Sequence, residues 1–295
     1  MRGKRWGVLV ALGALLLAGC TAAPPPAAAP RPTADAPSPP APSPSPTGTP
    51  LTVAALGDSL SRGFDACAAF GDCPEASWAT GTDPRVDSVA DRLGALRDAT
   101  ITRVDAARSG ADSSDLARQV ETVIPHSPDL VTMLMGANDV CRPDLTEMTP
   151  APVYTERIDA ALDRLAAALP DATVLVASVP DVTALLPVAG GDPTARFIWS
   201  RLNGCSTVLE APQSTSAAAE LRRDEVRARV AEYDDALRAA CAAHPRCVYD
   251  DGALRAYRPE LAQLSALDYF HPSIAGQAEL AALEWRALTS SALVP

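Results

Sequence analysis

Ser59, Asp268 and His271 are the side-chain types that together can cleave an ester. A serine hydroxyl is a weak nucleophile until a neighbouring base takes its proton. Histidine is the side chain that does this near neutral pH, and a carboxylate on its far ring nitrogen fixes the tautomer. Ser59 stands in Gly57-Asp58-Ser59-Leu60. Gly57 permits a tight strand-to-helix turn, and the N–H groups that follow face any charge developing there. Asp268 precedes His271 by three residues and Pro272 follows it. That spacing holds His271 extended at the mouth of the last helix and lets Asp268 fold back onto Nδ1. The two other histidines, His126 and His244, each sit beside a Pro near an expected helix end.

An acyl-transfer intermediate also needs donors for its oxygen anion. Gly110 and Asn138, the latter in Gly136-Ala137-Asn138-Asp139, are the candidates, with the backbone N–H of Ser59. Gly110 is expected to let the backbone approach where a side chain would crowd the site. Each segment has a plainer reading. Gly-Asp-Ser serves as a helix N-cap, Asp-x-x-His as a loop pair and Gly-x-Asn-Asp as a turn. Ser61 also stands where the G-x-S-x-G elbow would carry its second Gly.

The elements that must position these residues are legible as apolar, β-rich runs over 51–56, 101–106, 129–135, 172–179 and 246–249. Helical patterns lie between them over 86–97, 114–124, 153–169, 217–243 and 274–288. Strands alternating with helices predict an α/β fold with a parallel sheet covered on both faces. Ser59, Gly110 and Asn138 then follow the first, second and third strands. They share the carboxyl rim where such sheets gather ligand chemistry.

In this order the four segments resemble the blocks of the SGNH (GDSL) hydrolase family, over the whole stretch from Leu51 to Leu288. The resemblance implies a flavodoxin-like three-layer α/β/α sandwich. It implies a Ser59–His271–Asp268 triad, an oxyanion hole of Ser59, Gly110 and Asn138, and supporting roles for Asp58 and Asp139. It implies no cofactor. Arg108-Ser109 stands before Gly110 where the family pattern has Asn. Cys67, Cys73 and Cys141 around these blocks resemble secreted actinobacterial esterases and lipases of the family, which carry three disulfides.

The chain has seven Cys. Arg2, Lys4 and Arg5 precede an apolar run, Val8 to Ala18, too short to span a bilayer. It closes on Leu17-Ala18-Gly19-Cys20, which looks like a bacterial lipobox. Residues 1–20 therefore read as a lipoprotein signal, with Cys20 taking the lipid; an ordinary secretory signal is the alternative. Six Cys allow fifteen pairings. Cys67–Cys73 and Cys241–Cys247 close short loops, leaving Cys141–Cys205 as the long bridge. Without a C-x-x-C pair and with few His, no metal is expected.

Residues 21–50, rich in Pro, Ala, Ser and Thr, lack the apolar side chains to offset ordering entropy. They read as a linker that could reach ~90 Å as polyproline II. Residues 51–295 read as one hydrolase domain. Removal of Arg2, Lys4 and Arg5 takes the formal charge from −11 to −14, which disfavours nucleic acid. The expectation is a monomer anchored by lipid alone at the outer face of a bacterial cell membrane, partly released, acting on a small-molecule or lipid ester. Residues 181–216 show no clear structure yet carry Leu185, Leu186, Val188, Phe197, Ile198 and Trp199. These would line an acyl groove or pack beneath the loop, and Trp78 is a further groove candidate. A lipase or acyl esterase, a carbohydrate O-acetyl esterase and a non-catalytic binding lipoprotein are the three readings.

Overall fold

Each apolar run becomes a strand: β1 (Leu51–Gly57), β2 (Ile101–Asp105), β3 (Leu130–Leu134), β4 (Thr173–Val176) and β5 (Cys247–Tyr249). The computed structural model describes residues 46–201 and 205–295. The expected signal, Cys20 and the linker up to residue 45 lie outside these described residues. All strand pairs are parallel, in the order β2-β1-β3-β4-β5. The chain crosses from β2 over β1 to reach β3, so the crevice of an open α/β sheet falls at the end of β1.

Two-sided burial explains the near-continuous apolar character of the strands. Val53 and Ala55 of β1 and Leu130 and Leu134 of β3 enter one core cluster. Their alternating neighbours Ala54, Leu56, Val131 and Met133 enter the other. The helices are α1 (Val89–Arg97), α2 (Leu116–Val123), α3 (Ala137–Val140), α4 (Ala151–Ala168), α5 (Leu185–Ala189), α6 (Pro193–Trp199), α7 (Ser206–Leu209), α8 (Ala217–Ala242), α9 (Ala253–Ala256) and α10 (Ile274–Thr289). Helices α1 and α10 cover the first face; α2, α4 and α8 cover the second. This is the three-layer α/β/α sandwich expected from the sequence.

The segment after β4 is where the sequence was least legible. It folds as a 3-10 turn over Val182–Ala184 followed by α5, α6 and α7. Helices this short display little apolar periodicity. Side-chain capping starts the 3-10 turn and α6: Asp181 accepts from the N–H of Thr183, and Asp192 from those of Thr194 and Ala195.

The three expected bridges are present, Cys67–Cys73, Cys141–Cys205 and Cys241–Cys247. The first closes the loop behind the nucleophile segment. The second ties the end of α3 to the start of α7, and the third ties α8 to β5. In the chain-entropy picture the long bridge is worth roughly 4 kcal/mol and each short one roughly 2.

Glu284 of α10 is fully buried, and neither of its carboxylate oxygens has a hydrogen-bond donor among the described residues. Burial, with Asp250 beside it, pushes its carboxyl well above the ordinary value. An unfolded chain releases that proton near pH 4.5, whereas the folded chain keeps it to higher pH. Stability contributed by this group is therefore full below pH 4.5 and is lost as pH rises towards the folded value. Glu284→Gln, neutral throughout, lacks this component. Urea unfolding at pH 5 and pH 8 is expected to show a smaller loss of stability with rising pH in the variant; equal losses would refute the assignment.

Candidate active site

The nucleophile candidate sits where the backbone can follow neither sheet nor helix. Gly57 ends β1 at φ +153, and a Cβ there would meet Ser61 Oγ at 2.4 Å and the Leu134 carbonyl at 2.8 Å. The chain then runs through turns: the Arg62 N–H donates to the Asp58 and Ser59 carbonyls, both at 3.2 Å. The helix expected behind Ser59 does not form. Gly63 and Asp65 adopt positive φ, 58° and 55°, which breaks a right-handed helix. No helix dipole therefore stands behind Ser59.

Side chains hold this turn instead. Gln119 of α2 accepts from the Gly57 N–H and donates to the Gly57 carbonyl, each at 2.8 Å. Gln277 of α10 donates to the Leu60 carbonyl at 3.0 Å, and Asp58 accepts from the Leu60 N–H at 2.8 Å. Neither glutamine stood out in the sequence. The one available signal was Gln119 interrupting the apolar stripe of Leu116, Val120 and Val123 on α2.

His271 Nε2 lies 2.8 Å from Ser59 Oγ, and His271 Nδ1 lies 2.5 Å from Asp268 Oδ2. The other oxygen of Asp268 accepts from the N–H groups of Phe270 and His271 at 2.9 and 3.0 Å, an arrangement that needs Tyr269 at φ 57°. Burial pushes the Asp268 carboxyl up, but His271 and these two N–H groups outweigh it and hold the carboxyl below its ordinary value. The loop is fixed by Ser265 N–H to the His271 carbonyl at 2.8 Å and by Trp199 Nε1–H to the Asp268 carbonyl at 3.1 Å. His244 lies 3.3 Å from Asp163 instead.

Gly110 opens onto the same cleft as Ser59, Asn138 and His271. A Cβ on Gly110 would meet nothing within 4 Å, and its φ is +78. The position faces the open cleft with no protein atom against it, and its backbone conformation also favours glycine. The backbone N–H groups of Ser59 and Gly110 have no acceptor among the described residues. The Asn138 amide nitrogen donates to the Ala111 carbonyl at 2.9 Å and lies 3.4 Å from Asp58 Oδ2. Burial raises the Asp58 carboxyl to about 7. Asp139 accepts from the N–H and Oγ–H of Ser113 at 3.0 and 2.6 Å, which ties the loop after Gly110 to α3.

An apolar pocket opens beside Ser59 and Asn138, lined among others by Leu60, Leu185, Leu254, Leu264 and Phe270. Its cavity volume is about 80 Å³. Of the groove candidates, Leu185 alone lines it. Leu186 and Val188 pack against the core, Trp199 is buried within it, and Phe197 is exposed. Trp78 is fully buried in the opposite core cluster.

Residues 55–279 match the model of the GDSL-like lipase/acylhydrolase family. The fold is similar to a lipase/acylhydrolase from Enterococcus faecalis, with TM-score 0.51 and 18% identity over 81% of this chain and 96% of that one. It is also similar to Axe2, an acetylxylan esterase from Geobacillus stearothermophilus (TM-score 0.51, 19% identity, 82% and 95% covered). A third similar structure is LAE5, an alpha/beta hydrolase enzyme from the metagenome of Lake Arreo, Spain (0.50, 21%, 82% and 97%). No curated protein sequence matches the chain.

Gln119→Leu fills the same space but leaves the buried Gly57 N–H without an acceptor. An orphaned buried donor costs about 1–3 kcal/mol, so chemical denaturation is expected to show a loss of at least about 1 kcal/mol. An unchanged midpoint would remove Gln119 from the support of the nucleophile turn.

Proposed function

We propose, from the premise that this chain belongs to the GDSL-like lipase/acylhydrolase family, that it hydrolyses carboxylic esters with an extended acyl chain. The observation that carries this reading is the continuous contact from Ser59 through His271 to Asp268 at the mouth of an apolar pocket. His271 Nε2 takes the Ser59 proton, and Oγ attacks the ester carbonyl. The oxygen anion meets the open N–H groups of Ser59 and Gly110. Asn138 joins them by giving up its long contact to Asp58. The imidazolium then returns the proton to the departing alcohol. Water, deprotonated by His271, attacks the acyl-enzyme and releases the acid and Ser59. No step calls for a cofactor.

The pocket carries the acyl chain in this reading. Each methylene moved from water into apolar surroundings is worth ~0.8 kcal/mol, or about fourfold in kcat/KM. Attachment through a lipid on Cys20, with the Pro-rich linker holding a monomeric domain off the outer membrane face, belongs to the same proposal. It rests on the lipobox-like sequence and on the composition of residues 21–50.

Across nitrophenyl esters from acetate to palmitate, kcat/KM is expected to climb by up to about fourfold per methylene, or roughly 15-fold per carbon pair, until the pocket is full. Leu185→Trp is expected to move the optimum towards acetate. Activity confined to acetate in the parent chain would overturn the acyl-chain reading in favour of O-deacetylation.

Ser59→Ala is expected to abolish turnover while leaving the unfolding midpoint in place; turnover near the parent rate would remove Ser59 as nucleophile. Asn138→Ala is expected to lower kcat by roughly 10²–10³, and a negligible effect would leave the anion to the two backbone donors.

A further inference from the structure

A second carboxyl group stands against the Asp268–His271 pair. Asp65 is only 1% exposed and Asp268 only 2%. One oxygen of each, together with a ring nitrogen of His271, all lie within 4.8 Å of one another. Asp65 Oδ1 accepts from the Gly71 N–H at 2.7 Å, while Oδ2 has no donor among the described residues. The backbone around Asp65 is pinned as well. Its N–H donates to the Gly71 carbonyl at 2.8 Å, and its carbonyl accepts from Ser265 Oγ–H at 2.6 Å. The Cys67–Cys73 bridge closes the loop around these contacts.

Loop geometry accounts for Oδ1 but not for Oδ2. An acceptor at this position needs one oxygen for Gly71; the second is buried without a donor, in a side chain that stands beside another carboxylate. The charged and titratable groups that face Asp65 are Asp268 and His271. The nearby guanidinium of Arg62 is committed to Asp72 and Asp105. Two buried carboxylates side by side cannot both hold a full charge cheaply. Burial first, and then the charge of Asp268, push the Asp65 carboxyl up, while Asp268 is held down by its donors. Of the two carboxyls, Asp65 is therefore the one better placed to keep a proton.

We infer that Asp65 is a positioning residue: a carboxylic acid that keeps its proton and donates it as a hydrogen bond to Asp268, extending the chain Ser59–His271–Asp268 by a fourth group. The inference rests on the catalytic reading of the first three. The hydrogen bond spreads the negative charge of Asp268 over two carboxyls. The Asp268 side chain is thereby fixed without a counter-cation, and its stabilisation of protonated His271 is moderated.

Asparagine and glycine separate this role from loop support, and both tolerate the left-handed backbone at position 65. In Asp65→Asn the amide oxygen still accepts from Gly71 and the amide N–H still donates to Asp268, as the neutral acid does. Asp65→Gly removes the donor while the backbone keeps its conformation. The readout is the titration of the His271 ring in the full chain, followed by NMR. The chain has only three histidines, and the His271 signal is identified by its loss in His271→Gln. The acid limb of kcat/KM against pH is measured beside it.

The expected result is a midpoint in Asp65→Asn within about 0.3 of the parent and a rise of roughly one pH unit in Asp65→Gly, a tenfold change in proton affinity. An unmoved midpoint in Asp65→Gly would reduce Asp65 to loop support. A fall in both variants would show a charged carboxylate, and either outcome overturns the inference. Turnover surviving Ser59→Ala would instead defeat the catalytic reading, whatever the ring titration shows.

Discussion

The backbone from Gly57 to Leu60 must be buried, and no regular element can satisfy its hydrogen bonds. The sheet ends at Gly57, whose φ of +153 bars a side chain, and positive φ at Gly63 and Asp65 bars a helix beyond. A buried amide without a partner is costly. The fold meets this constraint with two glutamines from opposite layers, Gln119 on α2 and Gln277 on α10. The nucleophile turn is thus clamped from both faces of the sheet, and the positions of α2 and α10 are coupled to the position of Ser59. Gly136 shows a similar constraint at the end of β3. A Cβ there would lie 2.6 Å from Val179 Cγ2, and the hydroxyl of Tyr154, stacked on Tyr233, donates to the Met135 carbonyl just before it.

Buried carboxyls do for the rim loops what helix and sheet ladders do elsewhere. Asp58, Asp65, Asp139 and Asp268 each accept at least one backbone N–H, from Leu60, Gly71, Ser113 and the Phe270–His271 pair. Burial first, and neighbouring acids after it, raise some of them above the ordinary carboxylate range, Asp58 to about 7. Asp268, with two N–H donors and an imidazole, is held low. The carboxyl held low is the one in contact with the histidine.

Much of this was legible in the sequence, for identifiable reasons. Strands buried on both faces write themselves as unbroken apolar runs, and the three segments ending β1, β2 and β3 are short enough to be read as blocks. Gly110 lies on the cleft with Ser59, Asn138 and His271, and its positive φ adds a backbone reason for glycine that the sequence does not display. The helix behind Ser59 was expected from the strand-to-turn pattern, and the two positive-φ residues that prevent it are invisible to that pattern. Gln277 and Asp65 carry no sequence signal, and Gln119 only its break in the apolar stripe of α2, because each is a single polar residue. The partners of the two glutamines lie 62 and 217 positions away, and the carboxyl that Asp65 faces is likewise remote in sequence.

The segment between β4 and α8 couples specificity to chemistry. Leu185 at the start of α5 lines the apolar pocket, while Trp199 at the end of α6 sends its indole N–H to the carbonyl of Asp268. The same short run of helices thus shapes the space offered to the substrate and holds the loop that carries the acid and the base. Its own anchorage is the Cys141–Cys205 bridge back to the end of α3, reinforced where Thr207 Oγ–H donates to the Val140 carbonyl at 2.8 Å. A helix of seven residues has little stability of its own, so its geometry is set by these contacts. Reshaping the pocket through this segment therefore perturbs the support of Asp268 unless Trp199 and the bridge are left in place.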